Sequence, residues 1–188
     1  TRHARHDMRH HLSILNSFVK RKDWADLENY LSKMSKSIPS SELKLCENNA
    51  IDGVAGHYYH RYKDLEIPCV FKLELPKELS VSEIDICLVL SNLLENALEA
   101  SMRTAPDKRR ITVFARMHSD NVVLIKVENF YNGVVKEKNG IFESSKHSGE
   151  GIGTQSVRRI AEKGGGYCRF TQKDGIFTAD VMLRGNSK

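Results

Sequence analysis

The stretch Ser91-Asn92-Leu93-Leu94-Glu95-Asn96-Ala97-Leu98-Glu99-Ala100 carries the most information in this chain. Its polar residues Asn92, Glu95, Asn96 and Glu99 stand at i, i+3, i+4 and i+7. On a helix they share one face about 100° wide, and most other positions are apolar. A largely buried helix with amides and carboxylates on a single face suits a cleft that holds a metal and phosphates. Amide and carboxylate oxygens are hard ligands of the kind Mg2+ takes, with phosphate oxygens completing its shell. An ordinary amphipathic helix with a solvated stripe fits the same spacing, and this stretch alone does not choose between them.

Upstream, Ser80-Val81-Ser82-Glu83 reads as a capping-box start for this helix, which should run to about Met102. Val70-Phe71-Lys72-Leu73-Glu74-Leu75 alternates as a strand ending at Pro76, and residues 48–63 look helical. Downstream, residues 111–117 and 122–128 alternate as strands around Ser119-Asp120-Asn121, a hairpin signal. A helix at about 153–163 stops at Gly164-Gly165-Gly166, and strands follow near 167–172 and 176–183. Strands alternating with helices, several of them in hairpins, predict a mixed α/β sandwich from about residue 46 onward.

A second motif is Gly149-Glu150-Gly151-Ile152-Gly153-Thr154, leading into the 153–163 helix. Glycines let backbone approach phosphates closely, and a helix N-terminus offers free N–H groups. A dinucleotide-fold fingerprint would follow the first strand of a βαβ unit; this one follows a sheet and a long loop, which disfavours that reading.

Residues 1–45 obey a different pattern. Met8, Leu12, Leu15 and Val19 form one helical stripe; Trp24, Leu27, Leu31, Met34 and Ile38 form another. Lys20-Arg21-Lys22-Asp23 separates them, with Asp23 a candidate N-cap and Pro39 the stop. The short connection predicts an antiparallel helical hairpin, completed by dimerisation into a four-helix bundle. His6 falls about 150° around the helix from the first stripe, toward solvent, with His3 and His10 on the same side. An exposed imidazole beside Asp7 can receive a phosphoryl group, with Asp7 orienting the ring or taking its proton. A solvated His-rich face, or a metal site using His6 and His10, fits these residues as well.

Composition excludes little. The 188 residues are 40% hydrophobic and 28% charged, an ordinary globular balance. No run reaches the length of a membrane span. Cys46, Cys69, Cys87 and Cys168 are far apart and form no CxxC, which favours reduced core residues and a reducing compartment. The net charge is +5, and residues 1–45 hold nine Lys and Arg against five Asp and Glu. No aromatic-interleaved basic stripe points to nucleic acid.

Taken together the motifs resemble sensor histidine kinases, whose nucleotide domain shares the Bergerat fold with gyrase, MutL and heat-shock chaperones. Arg5-His6-Asp7-Met8-Arg9-His10 is similar to the phosphoacceptor box of the subfamily with peptide-sensing Agr-type quorum kinases. Asn92 to Ala100 resembles the N box, and Gly149 to Thr154 the second glycine box. The resemblance implies an α+β chain: a dimerisation and histidine-phosphotransfer hairpin over 1–45 and a catalytic ATP-binding domain over 46–188. It implies that His6 is the phosphoacceptor, with Asp7 its acid/base neighbour, in a homodimer that passes phosphate to a response-regulator receiver domain. Asn96 would coordinate Mg2+, with Asn92 and Glu95 beside it. Gly149, Gly151, Gly153 and Thr154 would line the phosphates of ATP, and a lid at about 130–150 would carry Lys146 and Phe142. A membrane sensor upstream in the parent protein is also implied.

Three details qualify the resemblance. Hydrolases of this superfamily carry a Glu where Asn92 stands, and a neutral amide is a poor base for water; transfer is therefore expected over hydrolysis. Asn129 stands where an Asp usually accepts the adenine amino group, and the first glycine box is missing its glycines. His10 occupies a position where relatives often carry Asn or Thr. The competing expectations are a degenerate kinase acting as a dimeric scaffold, and an ATPase or protein serine kinase of the same fold.

Overall fold

The computed structural model describes residues 2–34, 43–131, 137–138, 141–142 and 152–185; the side chains of 2–11, 32–34, 137–138, 141–142 and 152 lie outside that description. The chain divides into two units, Thr1–Ser41 and Glu42–Lys188.

The first unit is α1 (Arg2–Arg21) and α2 (Trp24–Met34). Lys22 turns the chain with φ 55°, a left-handed value. Asp23 then accepts from Asp26 N–H at 3.5 Å, a long bond at the expected N-cap. The Phe18 and Tyr30 rings meet at 5.8 Å, and the Arg21 guanidinium lies 5.5 Å from the Phe18 ring centre, so the chain folds back on itself. Pro39, the expected stop, lies outside the described residues.

In the second unit, α3 (Asn49–Asp64) precedes β1 (Cys69–Glu74) and α4 (Glu83–Met102). The hairpin β2 (Ile111–Ser119) and β3 (Val122–Phe130) follows, turning at Asp120-Asn121 as expected. Two short strands, β4 (Glu137–Lys138) and β5 (Ile141–Phe142), pair within the expected lid region. Then come α5 (Ile152–Lys163), β6 (Tyr167–Lys173) and β7 (Ile176–Arg184). The main sheet has order β1-β2-β3-β7-β6, with β1 parallel to β2 and every other pair antiparallel.

Side chains alternate across this sheet. Val113, Ala115, Val123, Ile125, Val127 and Val181 lie on one face, buried against the apolar sides of α3, α4 and α5. Helices on one face of a mixed sheet make the α/β sandwich that the element pattern predicts. The four cysteines are free, with Cys46 buried in this core. Among the described residues no helix is long and apolar enough to cross a membrane.

One boundary shifts. The N-cap of α4 is Ser82, which accepts from Asp85 N–H at 3.2 Å, rather than a box opened by Ser80. Ser80 donates instead to the carbonyl of Asp120 in the β2–β3 turn, and Glu83 accepts from Asn48. Each has a stronger partner elsewhere in the fold.

Candidate nucleotide site

The polar stripe of α4 divides between two neighbours. Asn92, Glu95, Asn96 and Glu99 are all half-buried. The first residues of α5 pack directly on the two amides: a Cβ at Gly153 would lie 3.2 Å from Oδ1 and Nδ2 of Asn96 and 3.4 Å from Oδ1 of Asn92. Only glycine allows this approach without displacing an amide. Asn92 donates Nδ2 to the Leu88 carbonyl at 2.8 Å, which fixes its rotamer. Thr154, the next residue, is buried in the first turn of α5. The stripe and the glycine motif, 57 residues apart between Asn96 and Gly153, therefore form one place.

Glu95 does not share it. Its Oε2 accepts from Arg61 Nη1 at 2.7 Å and from the Tyr58 hydroxyl at 3.0 Å, both on α3. Adjacent helical residues diverge by 100°, so Glu95 faces α3 while Asn96 faces α5. Burial alone would raise the Glu95 carboxyl, but the Arg61 and Tyr58 hydrogen bonds outweigh it and hold it below its ordinary range. Burial, with the adjacent carboxylate, pushes the Tyr58 hydroxyl up to about 12. The carboxylate expected beside Asn96 at the phosphates is thus an anion spoken for by a cation and a phenol. The sequence held a signal for this, Tyr58, Arg61 and Tyr62 at i, i+3 and i+4, that the motif reading passed over. Tyr62 also donates to the Leu94 carbonyl at 2.7 Å, tying α3 to α4 from within the core.

Asn129 ends the buried face of β3, 4% exposed, in register with Ile111 and Phe177. Its Nδ2 donates to the Phe130 carbonyl at 3.0 Å. Thr104 Oγ1 reaches the same carbonyl at 3.4 Å, which places Asn129 near the C-terminal end of α4, about two turns beyond Asn96. Ser101, one turn before Thr104, is fully buried, and its hydroxyl has no partner among the described residues. An unpaired hydroxyl at such depth is costly unless a water or ligand meets it.

Lys146, Gly149 and Gly151 lie outside the described residues. His6 and Asp7 lie in α1, but their side chains are outside the description too. Among the described residues no three His, Cys, Asp or Glu side chains converge on a metal site. A metal held here would use amide oxygen and the oxygens of a bound substrate, which is the donor set Asn96 and Asn92 present. A groove crosses the opposite face of the sheet, lined by Lys72, Phe114, Arg116, Lys126, Tyr167 and Arg169, and shares no residue with this site.

Residues 81–184 match the GHKL domain family, a span that takes in α4, the glycine motif and all but the first strand of the sheet. The chain belongs to the GHKL family. It is also 28% identical over 169 residues to the sensor histidine kinase HprS of Escherichia coli K12, covering 85% of this chain and 34% of that protein. It thus spans about a third of that relative's length. The catalytic domain of histidine kinase ThkA superposes with a TM-score of 0.56 at 19% identity, over 74% of this chain and 93% of that one. The histidine kinase AdeS of Acinetobacter baumannii gives 0.53 at 14% identity, over 97% and 98%. At such identities these structures establish the fold. The GHKL assignment agrees with the site geometry, since the family match includes both Asn96 and Gly153.

Proposed function

We propose that this GHKL chain is the kinase region of a sensor histidine kinase of the Agr-type subfamily. It would use ATP with Mg2+ to phosphorylate His6 and then pass the phosphoryl group to an aspartate of a response-regulator receiver domain. The observation that carries the reading is the contact between the Asn92–Asn96 amides and Gly153. It joins a hard-ligand face to the start of a helix, which is where a nucleotide's phosphates are best held. The amide oxygen of Asn96 would hold Mg2+, whose contribution is to neutralise charge on the phosphates. Gly149, Gly151, Gly153 and Thr154 would offer backbone N–H groups and a hydroxyl, with Lys146 reaching in from the lid. Asn129 Oδ1 would accept from the adenine amino group.

Two features favour transfer over hydrolysis. Asn92 is neutral, and Glu95, the acidic neighbour of Asn96, is held by Arg61 and Tyr58. Neither is free to take a proton from water. Asp7 is the proposed partner of the His6 imidazole. Positioning would supply most of the rate. The proposal places the kinase at the cytoplasmic side of a membrane receptor, as a homodimer, with the basic hairpin favouring encounter with an acidic receiver.

Incubation with labelled ATP and Mg2+ tests it. Acid-labile label should appear, vanish in His6→Gln and persist in His10→Gln; label unaffected by His6→Gln refutes the assignment. Calorimetry separates the scaffold alternative, which requires that ATP not bind. Phosphate release without phosphohistidine would point to a hydrolase.

A further inference from the structure

The face of the main sheet that the helices leave open departs from an ordinary solvated face. Sheets with one wet side alternate apolar inward and polar outward. Here the outward positions include Phe114, 37% exposed, and Tyr167, 50% exposed, with Leu124 and Met182 half-buried between them. The register makes these four a strip. Leu124 pairs with Met182, Met182 pairs with Tyr167, and Phe114 stands diagonal to Leu124 across the β2–β3 ladder. The strip crosses four neighbouring strands, β2, β3, β7 and β6, over about 14 Å.

Cations flank it. Lys72, Phe114, Lys126, Asp180 and Arg169 form the adjoining row, one residue from each strand, and Arg116 stands beside Leu124 at the end of the strip. Most of these charges are met on the sheet itself: Lys72 by Glu74 at 3.2 Å, Lys126 by Glu128 at 3.1 Å, and Arg169 by Asp180 at 3.9 Å. Arg116 is the exception. Its register partner on β1 is Glu74, but that carboxylate goes to Lys72, and Arg116 has no ion pair among the described residues. Together these side chains line the groove described above, a concavity of about 500 Å³ with four cations against two carboxylates.

An unpaired arginine beside Phe, Met and Tyr in a concavity has the composition of a protein-binding surface, where those residue types concentrate. Its excess of cations calls for an acidic partner. Glu74 and Asp180 lie inside the groove, so a uniformly anionic nucleic-acid backbone or lipid surface would meet repulsion there. A polypeptide can set carboxylates against Arg116 and apolar side chains over the strip. Residues 1–45, with nine Lys and Arg against five Asp and Glu, carry the same sign as the groove, so this chain's own hairpin is not its complement.

We propose that the open face of the sheet docks an acidic segment of a partner protein, whose carboxylates meet Arg116 and whose apolar side chains cover the strip from Phe114 to Tyr167. The inference goes beyond the kinase reading and does not depend on phosphorylation of His6.

The probe is a labelled peptide of repeating Glu-Glu-Leu-Phe, added to the full 188-residue chain. It should bind and shift the backbone NMR signals of Arg116, Leu124 and Tyr167. Affinity should fall about tenfold in Arg116→Glu and in Tyr167→Ser, and the second variant carries the test should the first fail to fold. ADP affinity should be the same in both, and the peptide with Lys in place of Glu should not bind. No binding of the acidic peptide overturns the proposal, as do equal affinities in the folded variants or shifts confined to residues 1–45. A single-stranded oligonucleotide, or vesicles of anionic phospholipid, binding as tightly and losing as much in Arg116→Glu would overturn it in favour of a general polyanion surface.

Discussion

At Gly153 a single added carbon would come to 3.2 Å from both polar atoms of the Asn96 amide. That distance is tight rather than impossible, so Gly153→Ala should leave the fold intact and push the amide or the start of α5 aside by a few tenths of an ångström. A ligand held between them would feel the shift. We expect Mg2+-dependent ATP binding to weaken about tenfold, ~1.4 kcal/mol, with the melting temperature nearly unchanged, as calorimetry and thermal unfolding would show. Glu95 gives a second prediction at this scale, with a definite sign. Its folded pKa is depressed, so the stability it contributes is present above the unfolded value, about 4.3, and is lost as pH falls through the lower folded value. The Arg61 and Glu95 side chains are 39% and 41% exposed, so water screens the pair and the contribution is small. Urea unfolding of Glu95→Gln should trail the unsubstituted protein by a constant margin at neutral pH and converge on it as pH falls through the folded value.

Among whole elements, the junction after α5 shows glycine used for a different reason. Gly165 has φ +72°, and the N–H groups of Gly165 and Gly166 return to the Glu162 and Ala161 carbonyls, closing the helix in a Schellman motif. A Cβ at Gly166 would meet the Met182 carbonyl oxygen on β7 at 2.0 Å. Backbone in a central strand cannot yield, so Gly166→Ala should cost about 1–3 kcal/mol of stability. ADP affinity of the folded protein should stay the same. A larger effect on binding than on unfolding would contradict this division of roles. Composition alone cannot separate the two glycine groups, because one meets a side-chain amide 57 residues away and the other a strand. Local rules did make much legible: the C-terminal end of α4, the span of α5, the turn at Asp120-Asn121 and the alternation of β2 and β3 all follow from nearest neighbours in sequence. What escaped was set by distant partners. Ser80 forgoes the cap because Asp120 is at hand, and Glu95 turns from Asn96 because α3 offers Tyr58 and Arg61. The parallel pairing of β1 with β2 carried no local signal, whereas the β4–β5 pair flanks Asn139-Gly140, a hairpin signal that the motif reading passed over.

For the whole molecule the decisive quantity is the apolar surface left on the hairpin. Leu12, Val19, Trp24 and Leu31 are 53, 47, 60 and 42% exposed in a single chain, and they belong to the two stripes that the heptad-like spacing marks as seams. Two helices of 20 and 11 residues cannot bury two such stripes between themselves. In the homodimer proposed above, a second copy of the chain would supply matching stripes and give the bundle a core. Burying a leucine is worth about 1.5–3 kcal/mol, and a buried unpaired carboxylate costs several more. The double substitution Leu12→Glu with Leu31→Glu should therefore convert a dimer to a monomer, read by light scattering across concentration. ADP affinity should not change, because none of the residues at the Asn96–Gly153 contact lies in the hairpin. Phosphohistidine formation then distinguishes routes: loss in the monomer means that each nucleotide domain serves its partner's His6, and retention means that it serves its own. A chain that is monomeric before substitution would remove the bundle from this account and leave the nucleotide site as it stands.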